Sequence, residues 1–307
     1  MHTQSMVTGP LLAQFRKLAI PAAIGMAFST LYNVVDVLFA GLISTQAQAG
    51  LAISFQPLFL LSTFAFGMGT ALSALVGNEV GAKRPTNARK VALEGLAIAT
   101  IGAVVLLSVG ALFADILLSL TTDPGPTKEL GQRYFYVLLF ALPGFIISFA
   151  ANGILQSLGD AESFKRGLIA AFFANIALDP LFVWGIPGVW DGIGFDGLAL
   201  SSACTQTGVA AYLLWRIFGM NMFANPRWGE LTPSYSMVRQ ILSQSLPSTT
   251  TMLVLVVSGF VVLGHLRGFG ETAQAAYAIA LRIEQIVLLP ALGLTGALLP
   301  IVAQNFG

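Results

Sequence analysis

Apolar residues run along this chain in long blocks separated by short polar stretches. A helix that crosses a bilayer needs about 20 mostly apolar residues. Eight blocks reach that length, near residues 18–43, 49–77, 92–120, 133–157, 166–186, 197–219, 240–264 and 273–303. They predict an all-α integral membrane protein with eight transmembrane helices. The polar stretches differ in charge. One alternating set holds Arg16, Lys17, Lys83, Arg84, Arg89, Lys90, Lys165, Arg166, Arg216, Arg227 and Arg239, whereas the other holds Lys128, Arg133 and Arg267. Basic residues stay on the cytoplasmic side, so the N-terminus is expected there, in a multi-pass protein of the plasma (inner) membrane.

The blocks also repeat. A shift of 226 residues matches Pro21 to Pro247, Ala52 to Ala278, Ile53 to Ile279, Gly67 to Gly293 and Gly81 to Gly307. Six spans separate the two copies, an even number, so the repeat is parallel, about an axis along the membrane normal. The expected organisation is a complete six-helix N-lobe at 1–220, a cytoplasmic linker at 221–239 and the first two helices of an incomplete second lobe at 240–307. The chain is accordingly expected to be a C-terminally truncated portion of a twelve-span protein.

Composition agrees with the blocks. The chain is 56% hydrophobic and 9% charged, against about 25% charged in an ordinary soluble domain. The net charge of +1 gives no footprint for nucleic acid. The lone Cys204 excludes an internal disulfide and a cysteine metal cluster. His2 and His265 are scattered, so neither a histidine metal site nor a catalytic site is expected, and no enzyme activity or cofactor. The start MHTQSMVTGPLLAQFRKLAI shows no signal-peptide cleavage pattern.

Against that background two acids stand out. Asp36 lies inside the first block, where an aspartate costs roughly 2.5–3.5 kcal/mol even on the lenient insertion scale, so it should face a protein interior or a water-filled cavity. Tyr32 and Asn33, four and three residues earlier, fall on the same helical face and can hydrogen-bond it. Asp179 lies inside the fifth block with Asn175 one turn before it. Counting residues from the outer helix ends puts both acids at similar depth, where they can share one cavity. Pro180 lacks an N–H, frees the Ile176 carbonyl and permits a kink beside the acid. Elsewhere, Glu94 four residues after Lys90 is expected to form a surface pair. Arg282 is read as lining the second lobe or a central cleft, with Glu284 on a different face.

Pro21 with Asp36 fifteen residues on, the second-span end FGMGTALSALVGNEVGA, the fourth-span exit ANGILQSLGDAESF and the fifth-span NIALDP followed by GFDGLALSSA resemble the multidrug and toxic compound extrusion (MATE) family. The resemblance looks closest to the prokaryotic DNA-damage-inducible-F-like branch. It implies an N-lobe cavity where coupling protons or sodium ions bind Asp36, Asn175 and Asp179, with Tyr32 lining it. Ser202 stands where relatives often carry threonine, which keeps the hydroxyl, and Ser29 where some carry glutamine. Leu255 occupies the position of a cation-binding glutamate in the other branch, and Val262 that of Asp36 under the repeat shift, so coupling chemistry belongs to the first lobe.

The expected function is export of organic cations or other amphiphilic small molecules in exchange for protons or sodium, by a monomer in the lipid bilayer. If sodium is the ion, Asp36, Asp179 and Asn175 supply its oxygen ligands. Bending at Pro21, or rocking of a lobe, would follow loading of the acids. Phe28, Phe55, Phe59, Phe149 and Phe172 are candidates for a repacking aromatic cavity. A lipid-linked precursor flippase of the same superfamily is the alternative, but it calls for basic residues in the cavity. An intramembrane aspartyl protease lacks its spacing here: Tyr32 is four residues before Asp36, and Gly192 to Asp196 holds one residue too many. A major-facilitator porter lacks the aspartate of its signature loop in VGNEVGAKRPTNARK.

Overall fold

A computed structural model describes residues 6–7, 9–122, 124–266, 269 and 271–307, without the side chains of 263–264, 271–279, 281–283 and 285. His2, Arg267 and the side chain of Arg282 lie outside the described residues. The helices are α1 (Leu11–Ile43), α2 (Thr45–Gly81), α3 (Pro85–Leu112), α4 (Ala114–Ser119), α5 (Pro126–Leu138), α6 (Ala141–Ser157), α7 (Glu162–Trp184), α8 (Asp196–Phe218), α9 (Tyr235–Leu266), α10 (Glu271–Gly296) and α11 (Leu298–Phe306). A two-residue antiparallel hairpin, β1 (Gly185–Ile186) with β2 (Trp190–Asp191), joins α7 to α8.

Six of these helices or segments of them are long and apolar enough to cross a membrane, or seven if α5 and α6, bent by 47° from each other, form one span. The expected count of eight is therefore not confirmed by length and composition among the described residues. The missing member is α8. Its 23 residues reach about 34 Å at 1.5 Å each, but Ser201, Ser202, Thr205, Gln206 and Thr207 make it too polar. The expected boundaries also move. Helices run past the apolar blocks into the polar ends, as at Leu11 and Pro85, because helical hydrogen bonding continues where lipid contact stops. Three blocks divide: 92–120 into α3 and α4, 133–157 into α5 and α6, and 273–303 into α10 and α11. Ser44 alone separates α1 from α2, its hydroxyl accepting the Ala47 N–H at 3.0 Å as an N-cap.

α1 shows how an all-apolar helix chooses its faces. Ile20, Ile24, Leu31, Val34, Leu38 and Leu42 are exposed along one stripe, while Leu18, Ala22, Gly25, Met26, Tyr32, Asp36 and Ala40 are buried along the other. Both stripes are apolar enough for lipid, so burial is decided by close packing and hydrogen bonding, with small and polar residues going inward. α2 is the central helix, packed against α3, α5, α6, α9 and α11, while α1 lies between α7 and α10. The main core surrounds Met68, Leu72, Leu93, Phe135, Ile146 and Ile154, all essentially fully buried.

The contacts that draw α9, α10 and α11 onto α1 and α2 are reciprocal. A side chain on Gly81 would strike the Gln304 carbonyl oxygen, and one on Gly307 the Asn78 carbonyl oxygen. Gly67 abuts Thr249, and Gly293 abuts Ala22 and Ala23. In each pair the partners exchange under the 226-residue shift, as contacts across a two-fold axis do. Gln304 adds polar ties there, accepting the Met6 N–H at 2.9 Å and donating to the Ser157 carbonyl at 2.7 Å.

Glu94 departs from the expected surface pair. It does lie 3.7 Å from Lys90, yet it is 3% exposed and accepts the Ser234 N–H at 2.8 Å and hydroxyl at 2.9 Å. It thus anchors the backbone just before α9, a partner 140 residues away that helical spacing cannot reveal.

Candidate functional site

On α7, Phe164, Leu168, Ala171, Asn175, Asp179 and Val183 form one buried stripe at roughly four-residue spacing, which packs on the inner stripe of α1. α8 lies beside α7 and turns Ser201, Ser202 and Thr205 toward the same seam. Three helices thereby bring seven polar side chains together at one level: Tyr32, Asp36, Asn175, Asp179, Ser201, Ser202 and Thr205, all buried.

Asn175 is the hub. Its Nδ2 donates to Asp36 Oδ1 at 2.9 Å and to Asp179 Oδ1 at 2.9 Å, with Ser201 Oγ farther off at 3.3 Å. Ser202 Oγ donates to Asp36 Oδ2 at 3.2 Å, and the Tyr32 hydroxyl donates to Ser202 Oγ at 2.9 Å while lying 2.8 Å from Thr205 Oγ1. A hydroxyl chain therefore leads from Thr205 and Tyr32 through Ser202 to Asp36. Two oxygens are left over: Asn175 Oδ1 and Asp179 Oδ2 are buried with no hydrogen-bond partner among the described residues. None of the described ion pairs reaches either acid. Toward the end of the bundle away from the basic loops, an apolar cluster that includes Leu51, Val183 and Leu198 covers the site, with Tyr134 stacked on Phe195 at 4.5 Å.

Of the residues singled out from sequence, Asp36, Asn175, Asp179, Tyr32 and Ser202 meet in this cluster. Asn33 does not. Half-buried, it donates to the Ser29 carbonyl at 3.0 Å on its own helix, because a residue three before Asp36 is turned about 60° away from it. Ser29 is half-buried, a turn nearer the basic end than Tyr32. Pro21 and Pro180 sit inside α1 and α7, which run through them without a break. Sequence reading missed Ser201, Thr205 and the Tyr134–Phe195 cover. Ser201, Ser202 and Thr205 at i, i+1 and i+4 within one block were the available signal for a hydroxyl-bearing helix face.

Of the five phenylalanines proposed as cavity lining, Phe149 borders a recess between α2, α6 and α10. Phe28 packs edge-on to Phe172 at 5.4 Å and Phe55 stacks on Phe59 at 5.9 Å, and none of these four lines that recess.

Fold and site together define a polytopic α-helical membrane protein with a shared pair of buried acids in its N-terminal bundle. The chain belongs to the MatE family, whose model matches residues 21–181, more than half of it. It is 23% identical over 305 residues to the FAD transporter of Shewanella oneidensis, covering 98% of this chain and 67% of that protein. It is 23% identical over 302 residues to the multidrug export protein MepA of Staphylococcus aureus, covering 97% of this chain and 65% of that one. The chain thus spans about two thirds of the length of these relatives. In fold it matches a MATE crystal structure in complex with MaD3S, with a TM-score of 0.87 and 24% identity over all of this chain and 69% of that one.

Proposed function

We propose that the chain forms the ion-coupling part of a secondary active exporter, in which protons or sodium ions loaded at Asp36 and Asp179 exchange for an amphiphilic small molecule. The observation that carries this is the single Asn175 amide shared by two buried carboxylates, with Asp179 Oδ2 and Asn175 Oδ1 left unpartnered. Two carboxylates that share the Asn175 amide, with only the Ser202 hydroxyl added on Asp36, repel each other in an apolar setting, and either a proton or a cation relieves the repulsion. A proton on one acid creates an O–H donor, and turning over the Asn175 amide would present its Oδ1 as the acceptor. A sodium ion finds a set made only of oxygens, the kind that hard cations take. The Tyr32, Ser202 and Asp36 chain offers a route for proton rearrangement, since a proton placed on Asp36 Oδ2 would reverse the direction of its bond with Ser202 Oγ. Membership of the MatE family and similarity to a multidrug export protein support small-molecule export as the activity. A lipid-linked precursor flippase is not favoured, since the cluster contains acids and no basic residue.

The test is uptake of a fluorescent organic cation into inverted vesicles carrying the protein, the direction that corresponds to export from a cell, driven first by a proton gradient and then by a sodium gradient. Asp36→Asn and Asp179→Asn are expected to lower gradient-driven export by at least about tenfold, the loss of a charge-bearing site. Export by Asp36→Asn that keeps its dependence on the ion gradient would overturn the reading.

A further inference from the structure

The hairpin between α7 and α8 is apolar where a loop facing water would be polar. In GIPGVWDGIG, Pro187 presets the first turn position and Gly188 takes φ +78° at the second, where a type II turn needs a positive value. The Val189 N–H closes the turn on the Ile186 carbonyl at 3.0 Å. Ile186 then pairs with Trp190 across the strands, and Trp190 packs edge-on to Phe182 of α7 at 6.4 Å. This arrangement leaves Ile186, Val189, Trp190 and Ile193 exposed, Val189 by 76%. Asp191 is the one charged residue between Gly185 and Phe195.

Two helices set the level of the hairpin. Arg166 near the basic end of α7 lies nineteen residues before Gly185, and Asp196 at the start of α8 lies nineteen before Trp215. Each stretch is about 28 Å of helix, close to the ~30 Å of bilayer hydrocarbon. Exposed tryptophans stand at both levels: Trp215 with Tyr212 at 6.2 Å toward the basic end, and Trp184 with Phe39 at 5.9 Å toward the other. Such aromatic pairs mark the two membrane–water boundaries. The hairpin starts one residue after Trp184. It also continues the exposed stripe of α7 through Phe173, Ile176 and Trp184.

We infer that this hairpin is an interfacial anchor, whose tip from Ile186 to Trp190 seats among lipid headgroups and upper acyl chains at the end of the bundle away from the basic loops. Having no basic residue, the tip gains nothing from anionic headgroups. Its partner is zwitterionic phospholipid, held by burial of apolar surface. The anchor bears on the acid cluster through the returning strand. There the Ile193 and Gly194 N–H groups donate to the Phe182 and Val183 carbonyls at 2.8 and 3.1 Å, and the next residue is Phe195, stacked on Tyr134 over the cluster. A seated tip therefore holds that cover at a set depth.

The experiment makes Trp190 the sole tryptophan of the full chain, by Trp184→Phe, Trp215→Phe and Trp228→Phe, in phosphatidylcholine nanodiscs. Its fluorescence is quenched by lipid carrying a nitroxide high on the acyl chain, by lipid carrying one near the chain end, and by aqueous iodide. The shallow nitroxide is expected to quench most, equally well after phosphatidylglycerol is mixed in. Val189→Asp should lower that quenching at least about twofold and raise quenching by iodide, because the tip loses apolar surface to bury. Thermal unfolding confirms that each variant is folded. Dominant iodide quenching would put the tip in water, quenching by no probe would bury it against protein, strongest quenching by the deep nitroxide would place it in the acyl core, and quenching that needs phosphatidylglycerol would make the attraction electrostatic. Each of these overturns the inference. A nitroxide on Val189→Cys in a Cys204→Ser background keeps every tryptophan and reads the same seat: collisions with dissolved oxygen should exceed those with a water-soluble nickel chelate, and the reverse order overturns it.

Discussion

Asn175 has one amide group and two carboxylates to serve, and Asp36 depends on Ser202 for its other oxygen. Ser202 is therefore the residue whose change is most informative. Ser202→Ala strips a donor from Asp36 and an acceptor from Tyr32, which retains Thr205. Buried hydrogen bonds in membrane proteins average well under 2 kcal/mol, so a loss of about 1 kcal/mol in stability is expected, measured by thermal unfolding in detergent. Ser202→Thr keeps the hydroxyl and should be close to neutral. Export measured alongside should fall in Ser202→Ala and persist in Ser202→Thr, since the route through the hydroxyl chain is kept only in the latter.

At the scale of elements, α9 is held to the bundle partly from outside the membrane. Glu94 receives the Ser234 N–H and hydroxyl, and a few residues earlier Arg89 forms a paired contact with Glu230 at 2.8 and 2.9 Å while also donating to the Met222 carbonyl. Glu94→Ala leaves a backbone N–H without its partner, a cost of about 1–3 kcal/mol, and should speed proteolysis of the 221–234 segment relative to the native chain. The Arg89 guanidinium, followed by the Arg227 N–H, pulls the Glu230 carboxyl from 4.5 down to about 2. A carboxylate lowered on folding contributes stability above its unfolded value and loses it as pH falls toward the folded one. Hydrogen exchange in the linker should therefore quicken as pH drops from about 4.5 toward 2, after correction for the intrinsic rate. Glu230→Gln should show fast exchange already at neutral pH and lose that dependence.

At the scale of the whole molecule, the reciprocal glycine contacts set how closely α9, α10 and α11 approach α1 and α2. Because Gly67 with Thr249 and Gly293 with Ala23 are equivalent under the repeat shift, a bulky residue at either should part the same interface. In a Cys204→Ser background with Ser73→Cys as reporter, Gly67→Val and Gly293→Val are both expected to raise the rate of labelling by a water-soluble maleimide several-fold. A rise in only one of them would show that the two contacts do not act as a pair.

Much of the molecule was legible in the residues. Block length in an oily chain predicts spans because the hydrogen-bonding demand of a backbone in lipid leaves helix as the only local solution, and an aspartate among apolar residues marks itself by its cost. The spacing of Asn175 and Asp179 on one helix, and the repeat through Gly67 and Gly81, were likewise written in order along the chain. What periodicity could not supply is any fact that needs a second helix. Only packing turned Asn33 away from the cluster and Ser201 and Thr205 into it, and buried Glu94 against Ser234. In a chain where lipid and core are equally apolar, which stripe faces inward is decided by close contact between helices far apart in sequence.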